Sequence, residues 1–514
     1  MPEASQPPEP HPPRTGPSIF DAQRVLGERF GHASLRPEQR PVIERILAGG
    51  DAMVVFPTGA GKSLCYQLPA LTIARDRIAS NEPPGVAVVF SPLIALMEDQ
   101  VAGLRARGIA ASYLNSTLSR RERERRQSAL AQGAYEIIYA TPERMLKPAF
   151  VEAIGRVPGG VTLLAVDECH CISRWGHDLR PAYARVGEFA HRLGSPTTIA
   201  LTATATAEVR ADVRRVLETD DHRMPLFAAP VDRPNLTLRC RDVWDDADKL
   251  ARITAVADEA GGTGITYFAL IKDLDRFATM LRRALPGRSL EVYHGKLDPR
   301  EKKRVSARFI EAPAGERLLI LATNAFGMGV DRPDIRFVVH AQLPGSLESY
   351  HQEVGRAGRD GEPSVCELLY SQDDLAVQQQ FIEWKNPSAE LVAEVVRVMR
   401  DSDHADFDAD ELRPLITGRD RGDRRVDHAL IALADMGAVE PTSVRVEPPR
   451  YRLVREPEPG EIDAERTADK RRRDLERLLT VVEMIKSGNP SASVAQYFDL
   501  PHHRHDPAPE RTQP

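Results

Sequence analysis

Apolar positions in this chain gather into short, nearly continuous runs separated by longer stretches with helical spacing. Between residue 19 and about 224 the runs fall at 52–56, 86–91, 136–140, 163–166 and 198–201. Short apolar runs that alternate with amphipathic stretches predict parallel βαβ units, whose strands are buried on both faces. The pattern restarts after the turn-like Asp232-Arg233-Pro234-Asn235, with strands expected over 264–268, 289–293, 318–322 and 337–340 and a helix over 273–285. No residue-level repeat relates the two halves, so their likeness is one of architecture. From about residue 387 the character changes. Short helices are expected over 391–400 and 428–435, and residues 444–453 alternate as a hairpin would, an order that suggests a winged helix. A Pro/Glu-rich linker at 455–461 precedes a charged amphipathic helix over 469–486, and the Pro-rich ends read as disordered tails.

At 514 residues the chain is long enough for several domains, and 42% hydrophobic residues suffice for real cores. No apolar run is long enough to cross a bilayer, and the start of the chain lacks the basic and apolar regions of a secretory signal. The five cysteines, Cys65, Cys169, Cys171, Cys240 and Cys366, fit neither a disulfide framework nor a paired zinc pattern, which points to the reducing cytosol. The net charge of −6 confines any nucleic-acid contact to a local groove. The charge run at 119–126 and Lys470-Arg471-Arg472-Arg473 are expected to be solvated helix faces, with a backbone contact to nucleic acid as the alternative.

Candidate chemistry begins at Asp167-Glu168, which closes the apolar run 161–166 at the strand end where open α/β sheets bind ligands. In nucleotide hydrolases such a pair divides the work, the Asp organising Mg²⁺ and the Glu polarising water. Upstream, Pro57-Thr58-Gly59-Ala60-Gly61-Lys62-Ser63 lies between an apolar strand and a helix. Its glycines let backbone N–H groups face phosphate oxygens, Lys62 can reach the β- and γ-phosphates, and Ser63 can ligate Mg²⁺. Phe56 stands where the strict phosphate-loop pattern has Gly, so a loop without nucleotide is the alternative. In the second half, Gln352-Glu353-Val354-Gly355-Arg356-Ala357-Gly358-Arg359-Asp360-Gly361 offers two arginines three apart that could reach a γ-phosphate across a cleft. A surface Arg pair in a turn is the alternative there.

Taken together, these motifs resemble the RecQ helicases of superfamily 2, over about residues 30–370. The segment Phe30-Gly31-His32-Ala33-Ser34-Leu35-Arg36-Pro37-Glu38-Gln39 resembles the family's adenine clasp, with Arg36 and Gln39 as polar contacts and His32 where an aromatic ring usually stacks. Ser91-Pro92 and Thr141-Pro142 resemble motifs that touch single-stranded DNA. Leu201-Thr202-Ala203-Thr204-Ala205 resembles the motif that couples hydrolysis to movement, and residues 322–331 its counterpart in the second lobe. Arg174, Trp175, His177 and Arg180 fall on the family's aromatic-rich DNA-sensing loop, with Leu179 replacing a usual Phe. A Trp175 that is simply core is the alternative. Further departures are Phe268-Ala269-Leu270-Ile271-Lys272 in place of a Ser-Arg motif, and the absence of any cysteine after Cys366, where the family's zinc subdomain needs four. Asn489-Pro490 stands where the first of these would fall, no zinc site is expected, and His502, His503 and His505 read as a solvated tail.

The resemblance implies an α/β fold of two tandem RecA-like parallel-sheet domains followed by a small helical, winged-helix-like C-terminal region. The expected layout is a tail at 1–18, an ATP-binding helicase domain at 19–224 and a second helicase domain at 225–386. A winged-helix-like module at 387–460, a helical remnant of the zinc subdomain at 461–500 and a tail at 501–514 complete it. It further implies ATP and Mg²⁺ as cofactors, with Ser63 and Asp167 at the metal, Glu168 on water, and Arg359 aided by Arg356 and Gln352. Single-stranded and tailed or forked duplex DNA would be the partners, unwound 3′ to 5′ in repair or recombination. Repair proteins could dock on 387–500, and the location would be the cytoplasm, at the nucleoid, without membrane contact. A translocase that does not separate strands and a partner-recruited scaffold remain open.

Overall fold

The computed structural model describes residues 16–173, 182–231, 233–327, 332–402, 404–418, 423–443, 449–458 and 460–501. Two parallel sheets form its frame. In the first lobe the strands are β1 (Ala52–Val55), β2 (Val86–Phe90), β3 (Ala111–Leu114), β4 (Ile137–Ala140), β5 (Val161–Asp167), β6 (Thr197–Thr202) and β7 (Leu226–Ala228). Their spatial order is β3-β4-β2-β5-β6-β1-β7. In the second lobe β8 (Leu236–Asp242), β9 (Thr263–Tyr267), β10 (Ser289–Tyr293), β11 (Leu318–Ala322), β12 (Ile335–His340) and β13 (Ser364–Tyr370) take the order β10-β11-β9-β12-β13-β8. The central strands β1, β2, β4, β9 and β11 are buried along their whole length, as strands covered by helices on both faces must be. Among the described residues no helix is long and apolar enough to cross a membrane.

One close approach in the second lobe is demanding. Gly264 of β9 pairs with Phe337 of β12, and a Cβ on Gly264 would fall 2.1 Å from the Phe337 ring. The ring is fully buried, with the Arg288 guanidinium 5.2 Å from its centroid, so it has little room to retreat. Gly264→Ala is therefore expected to destabilise this lobe by about 1–3 kcal/mol, read as a lower denaturant midpoint that Phe337→Leu in the same chain partly restores.

The C-terminal region has two parts. Helices Ala389–Arg400, Ala409–Ile416 and Arg425–Asp435 precede a hairpin of β14 (Val439–Ser443) and β15 (Arg450–Leu453). They share a core of their own that includes Val395, Leu412, Val426, Leu430 and Leu433. The hairpin's first strand lies before the expected 444–453 span, a correction whose cause is Pro441: proline breaks the reading of a strand yet is tolerated in a two-stranded sheet with open edges. Helices Ala464–Ser487 and Pro490–Phe498 instead join the main core through Leu478, Val481, Met484, Val494 and Phe498. Asn489 caps the last helix, its side chain accepting from Ala492 N at 3.1 Å, with Pro490 at the first helical position. A capping residue thus stands where the resemblance puts a metal ligand.

The charge run at 119–126 forms the start of helix Arg120–Ala131 and is only partly a solvated face. Arg120 and Arg125 pair with Glu124 and Glu122 at the surface. Arg126 turns inward, its guanidinium 4.3 Å from the Tyr113 ring centroid and donating to Tyr113 O at 3.0 Å.

Candidate active site

The phosphate loop leaves β1 and enters helix Leu64–Ala79, so the N-terminal amides of that helix face the loop. Gly59 and Gly61 both take left-handed backbone angles, φ +85° and +79°, and a Cβ on Gly61 would strike Gln39. Gln39 is buried and donates to Gly61 O at 3.1 Å, while Arg36 donates to Gly59 O at 3.0 Å. The two residues expected to contact adenine thus also brace the loop from outside, and His32 beside them is exposed. Lys62 is folded back, its Nζ donating to Phe56 O at 3.0 Å. Burial lowers the Lys62 pKa although Glu168 and Asp167 oppose the shift.

Asp167 ends β5, two strands from β1, with β6 between them. Burial first, and then the Glu168 carboxylate, push the Asp167 carboxyl above its usual range, while Lys62 pulls it back. Glu168 follows in a left-handed conformation at φ +50°, rare for a residue with a Cβ. Thr202, at the end of β6, joins the parts. Its carbonyl accepts from Phe56 N at 3.2 Å, its hydroxyl donates to Thr204 O at 3.0 Å, and His170 Nδ1 lies 2.9 Å from that hydroxyl. With the hydroxyl donating to Thr204, His170 Nδ1 is placed to donate to it, and it also lies 3.2 Å from Glu168 Oε2.

Across the cleft, helix Leu347–Val354 carries Gln352 and leads into the arginine loop. The Arg359 stem passes over the phosphate loop: a Cβ on Gly59 would sit 3.5 Å from Arg359 Cγ, and one on Gly355 would sit 3.7 Å from Thr58 Cβ. Arg356 points elsewhere and donates to Gly327 O. Arg233 and Asn235, which the sequence marks only as part of a turn, hold this loop. Arg233 Nη1 donates to Gly355 O at 3.2 Å and Ala357 O at 2.8 Å, and Asn235 Nδ2 donates to Gly358 O at 2.9 Å. Their partners lie more than a hundred residues away, so only their place just before β8 could have hinted at the role.

Of the residues expected to meet nucleic acid, Ser91 and Thr141 sit at the C-terminal ends of neighbouring strands β2 and β4, beside β5. Ser91 and Pro92 are buried, whereas Thr141 is half-buried. Arg174, Trp175, His177 and Arg180 lie outside the described residues, as do Met328 to Asp331 of the second-lobe motif. The last described residue before Arg174 is anchored, Ser173 Oγ donating to Asp212 Oδ2 at 2.8 Å.

The DEAD/DEAH box helicase family matches residues 36–213, and the helicase conserved C-terminal domain matches residues 247–361. The probable ATP-dependent DNA helicase RecS of Bacillus subtilis is 40% identical over 385 residues, covering 75% of this chain and 74% of that protein. The ATP-dependent DNA helicase RecQ of the same organism is 40% identical over 369 residues, 71% of this chain and 58% of that one. The chain belongs to the RecQ family. It spans little more than half of the RecQ of Pasteurella multocida as well, 56%, at 36% identity. Among solved structures, the DNA-bound helicase MrfA superposes with a TM-score of 0.55 at 20% identity, covering 85% of this chain and 62% of that one. The Mycobacterium smegmatis helicase Lhr superposes at 0.51 and 19%, covering 84% and 60%. These likenesses show that the frame of paired lobes is shared with those two structures. The motifs quoted above at 57–63, 167–170 and 201–205 lie within the first matched family, and the whole arginine loop, 352–361, lies within the second.

Proposed function

We propose that this RecQ-family chain is an ATP-dependent DNA helicase that translocates 3′ to 5′ on single-stranded DNA and opens duplex in repair or recombination. The observation that carries this reading is the divided site: the Arg359 stem lies across Gly59, so one lobe presents a cation to the phosphate loop of the other. Such a site is complete only when the lobes meet, and that lets one chemical step drive one movement. The residues fit Mg-ATP. The left-handed glycines leave an open amide cradle, and Asp167 with Ser63 supplies the hard oxygen donors that Mg²⁺ prefers. Bound Mg²⁺ would neutralise phosphate charge.

In this reading Thr58, Gly59, Ala60, Gly61, Lys62 and Ser63 hold the phosphates, and Lys62 leaves Phe56 O to do so. Arg36, Gln39 and His32 face the base. Glu168 takes a proton from the attacking water, His170 orients that carboxylate, and Arg359 stabilises charge on the transferred group, with Gln352 beside it. Ser91, Pro92 and Thr141 mark the edge along which the strand would run, and Trp175 with Arg174, His177 and Arg180 would sense it. Residues 387–460 would be a winged-helix-like module, and 387–500 a docking place for repair proteins. A DNA substrate would place the chain at the nucleoid.

One observation favours the translocase reading. The described hairpin arginines are neutralised: Arg450 by Asp406, Asp408 and Glu411, Arg452 by Glu440, and Arg455 by Glu461. A hairpin so balanced is a poor wedge for a polyanion. Matched duplexes with 3′ or 5′ single-stranded tails separate the readings, with Lys62→Ala as control. ATP-dependent opening of the 3′-tailed duplex alone is expected. DNA-stimulated ATP hydrolysis without opening of either duplex would establish the translocase instead.

A further inference from the structure

The helix Pro490–Phe498 touches both lobes at the two elements that frame the ATP cleft. On the first lobe its anchor is Arg210, in helix Ala207–Val216, which follows Thr204 and Ala205 directly. The guanidinium is buried and donates to Phe498 O at 2.8 Å, to Asp499 Oδ2 at 2.8 Å and to Ala205 O at 3.1 Å. On the second lobe the contacts fall on helix Leu347–Val354, which delivers the arginine loop. Tyr497 Oη donates to Glu348 Oε1 at 2.7 Å, and the Phe498 ring lies 5.6 Å from the His351 ring. Glu348 stands one turn before Gln352 on that helix. Burial drives the His351 pKa down to about 4, so a neutral ring meets Phe498. Beyond the helix, Val231 N donates to Pro501 O at 2.9 Å, which fastens the chain to the connection between lobes. A cavity lined by Pro57, Val231, Leu238, His351, Val354 and Val494 separates the helix from the phosphate loop, so the helix spans the junction without filling it.

These contacts are made in an arrangement where Arg359 already overlies Gly59. An opening that drew helix Leu347–Val354 away from helix Ala207–Val216 would oblige the short helix between them to give up one set of partners. Losing one set leaves either the Arg210 guanidinium or the Glu348 carboxylate buried with fewer hydrogen bonds, a costly outcome for a charged group. The same first-lobe helix bears Asp212, which anchors Ser173 at the start of the sensing loop, so one rigid element links the DNA side of the cleft to the C-terminal helix.

We propose that the helix Pro490–Phe498 is a strap that favours the closed cleft, and that Arg210 and Tyr497 are positioning residues acting through the arginine loop. The proposal rests on the ATPase reading above. It predicts that breaking the strap weakens recognition of the γ-phosphate, which needs both lobes, and spares recognition of ADP, which the first lobe holds by itself. The test measures affinities of the full chain for ADP and for the non-hydrolysable analogue AMP-PNP. Arg210→Met keeps the buried stem and removes the donors. It is expected to reduce the AMP-PNP preference about tenfold, within the usual range of coupling between sites. Tyr497→Phe removes a single hydroxyl, leaves the ring packing intact and should reduce the preference about threefold. Steady-state kinetics should show the same split, with KM for ATP raised more than kcat is lowered. If both nucleotides weaken equally, or neither changes in Tyr497→Phe, the strap is only structural and the proposal is overturned. Failure of the unaltered chain to bind either nucleotide would refute the ATPase reading, and the strap with it.

Discussion

Arg359→Ala is expected to lower kcat for DNA-stimulated ATP hydrolysis by about 10³–10⁵-fold while leaving ADP affinity unchanged. The size follows from where the arginine sits. Its stem crosses from the second lobe to Gly59, so the guanidinium is delivered to the phosphate side of the cleft by a neighbour that takes no part in holding the nucleoside. Arg233 and Asn235 fix the backbone of residues 355–358 from beneath, so the group is presented by a fixed loop rather than by a mobile one. Preorganised charge of this kind needs no rearrangement as the transition state forms, which is where its leverage lies. Arg359→Lys should recover little, because an ammonium cannot reproduce the planar fork of donors. Arg356 gives the internal control. It is tied to Gly327 O within its own lobe, so Arg356→Ala should act mainly on loop stability and reduce kcat far less. Equal losses in the two variants, or a normal kcat in Arg359→Ala, would remove the cross-lobe assignment.

The frame of this molecule was readable because parallel strands buried on both faces are apolar throughout, and β1, β2, β5, β9 and β11 lie where apolar runs predict them. What escaped the pattern is polar matter used as core. Helix Gln372–Lys385 buries Asp374, Gln378 and Ile382, and two of these carry no apolar signal. Asp374 is buried because Lys249 pairs with it at 2.8 Å, and Gln378 because its amide donates to Leu343 O. Strand β3 escaped similarly, since Ala-Ser-Tyr-Leu at a sheet edge has no continuous apolar run. Helix starts fell short by a few residues at 389 and 464, where charged and small residues precede the apolar stripe. The site divides along the same line. The phosphate loop and the Asp-Glu pair are local in sequence and their chemistry shows in residue type. Arg233, Asn235 and Arg210 act on backbone carbonyls, which have no residue identity, so no spacing in the sequence marks them.

Glu168→Gln carries the other large expectation: a fall in kcat of about 10²–10⁴-fold, the usual worth of a positioned general base, with ATP affinity kept or improved. Gln has the shape of Glu but cannot take the proton. The surroundings favour this role over a structural one. Glu168 holds a left-handed backbone at φ +50°, which costs a residue with a Cβ about 1–2 kcal/mol. His170 Nδ1 lies 3.2 Å from Oε2 and 2.9 Å from the hydroxyl of Thr202, which ends β6. Asp167 answers differently. Its carboxyl is pushed up by burial and by Glu168, so its charged form needs a nearby cation, and Asp167→Asn should weaken Mg-ATP binding along with turnover. Glu168→Gly separates strain from chemistry. Removing the Cβ relieves the left-handed conformation, while the freer unfolded backbone takes back about 0.5–1 kcal/mol, so thermal stability should hold or rise slightly. ATP hydrolysis should nonetheless be as low as in Glu168→Gln. A Gly variant that keeps its ATP hydrolysis would show that the carboxylate does not serve the reaction.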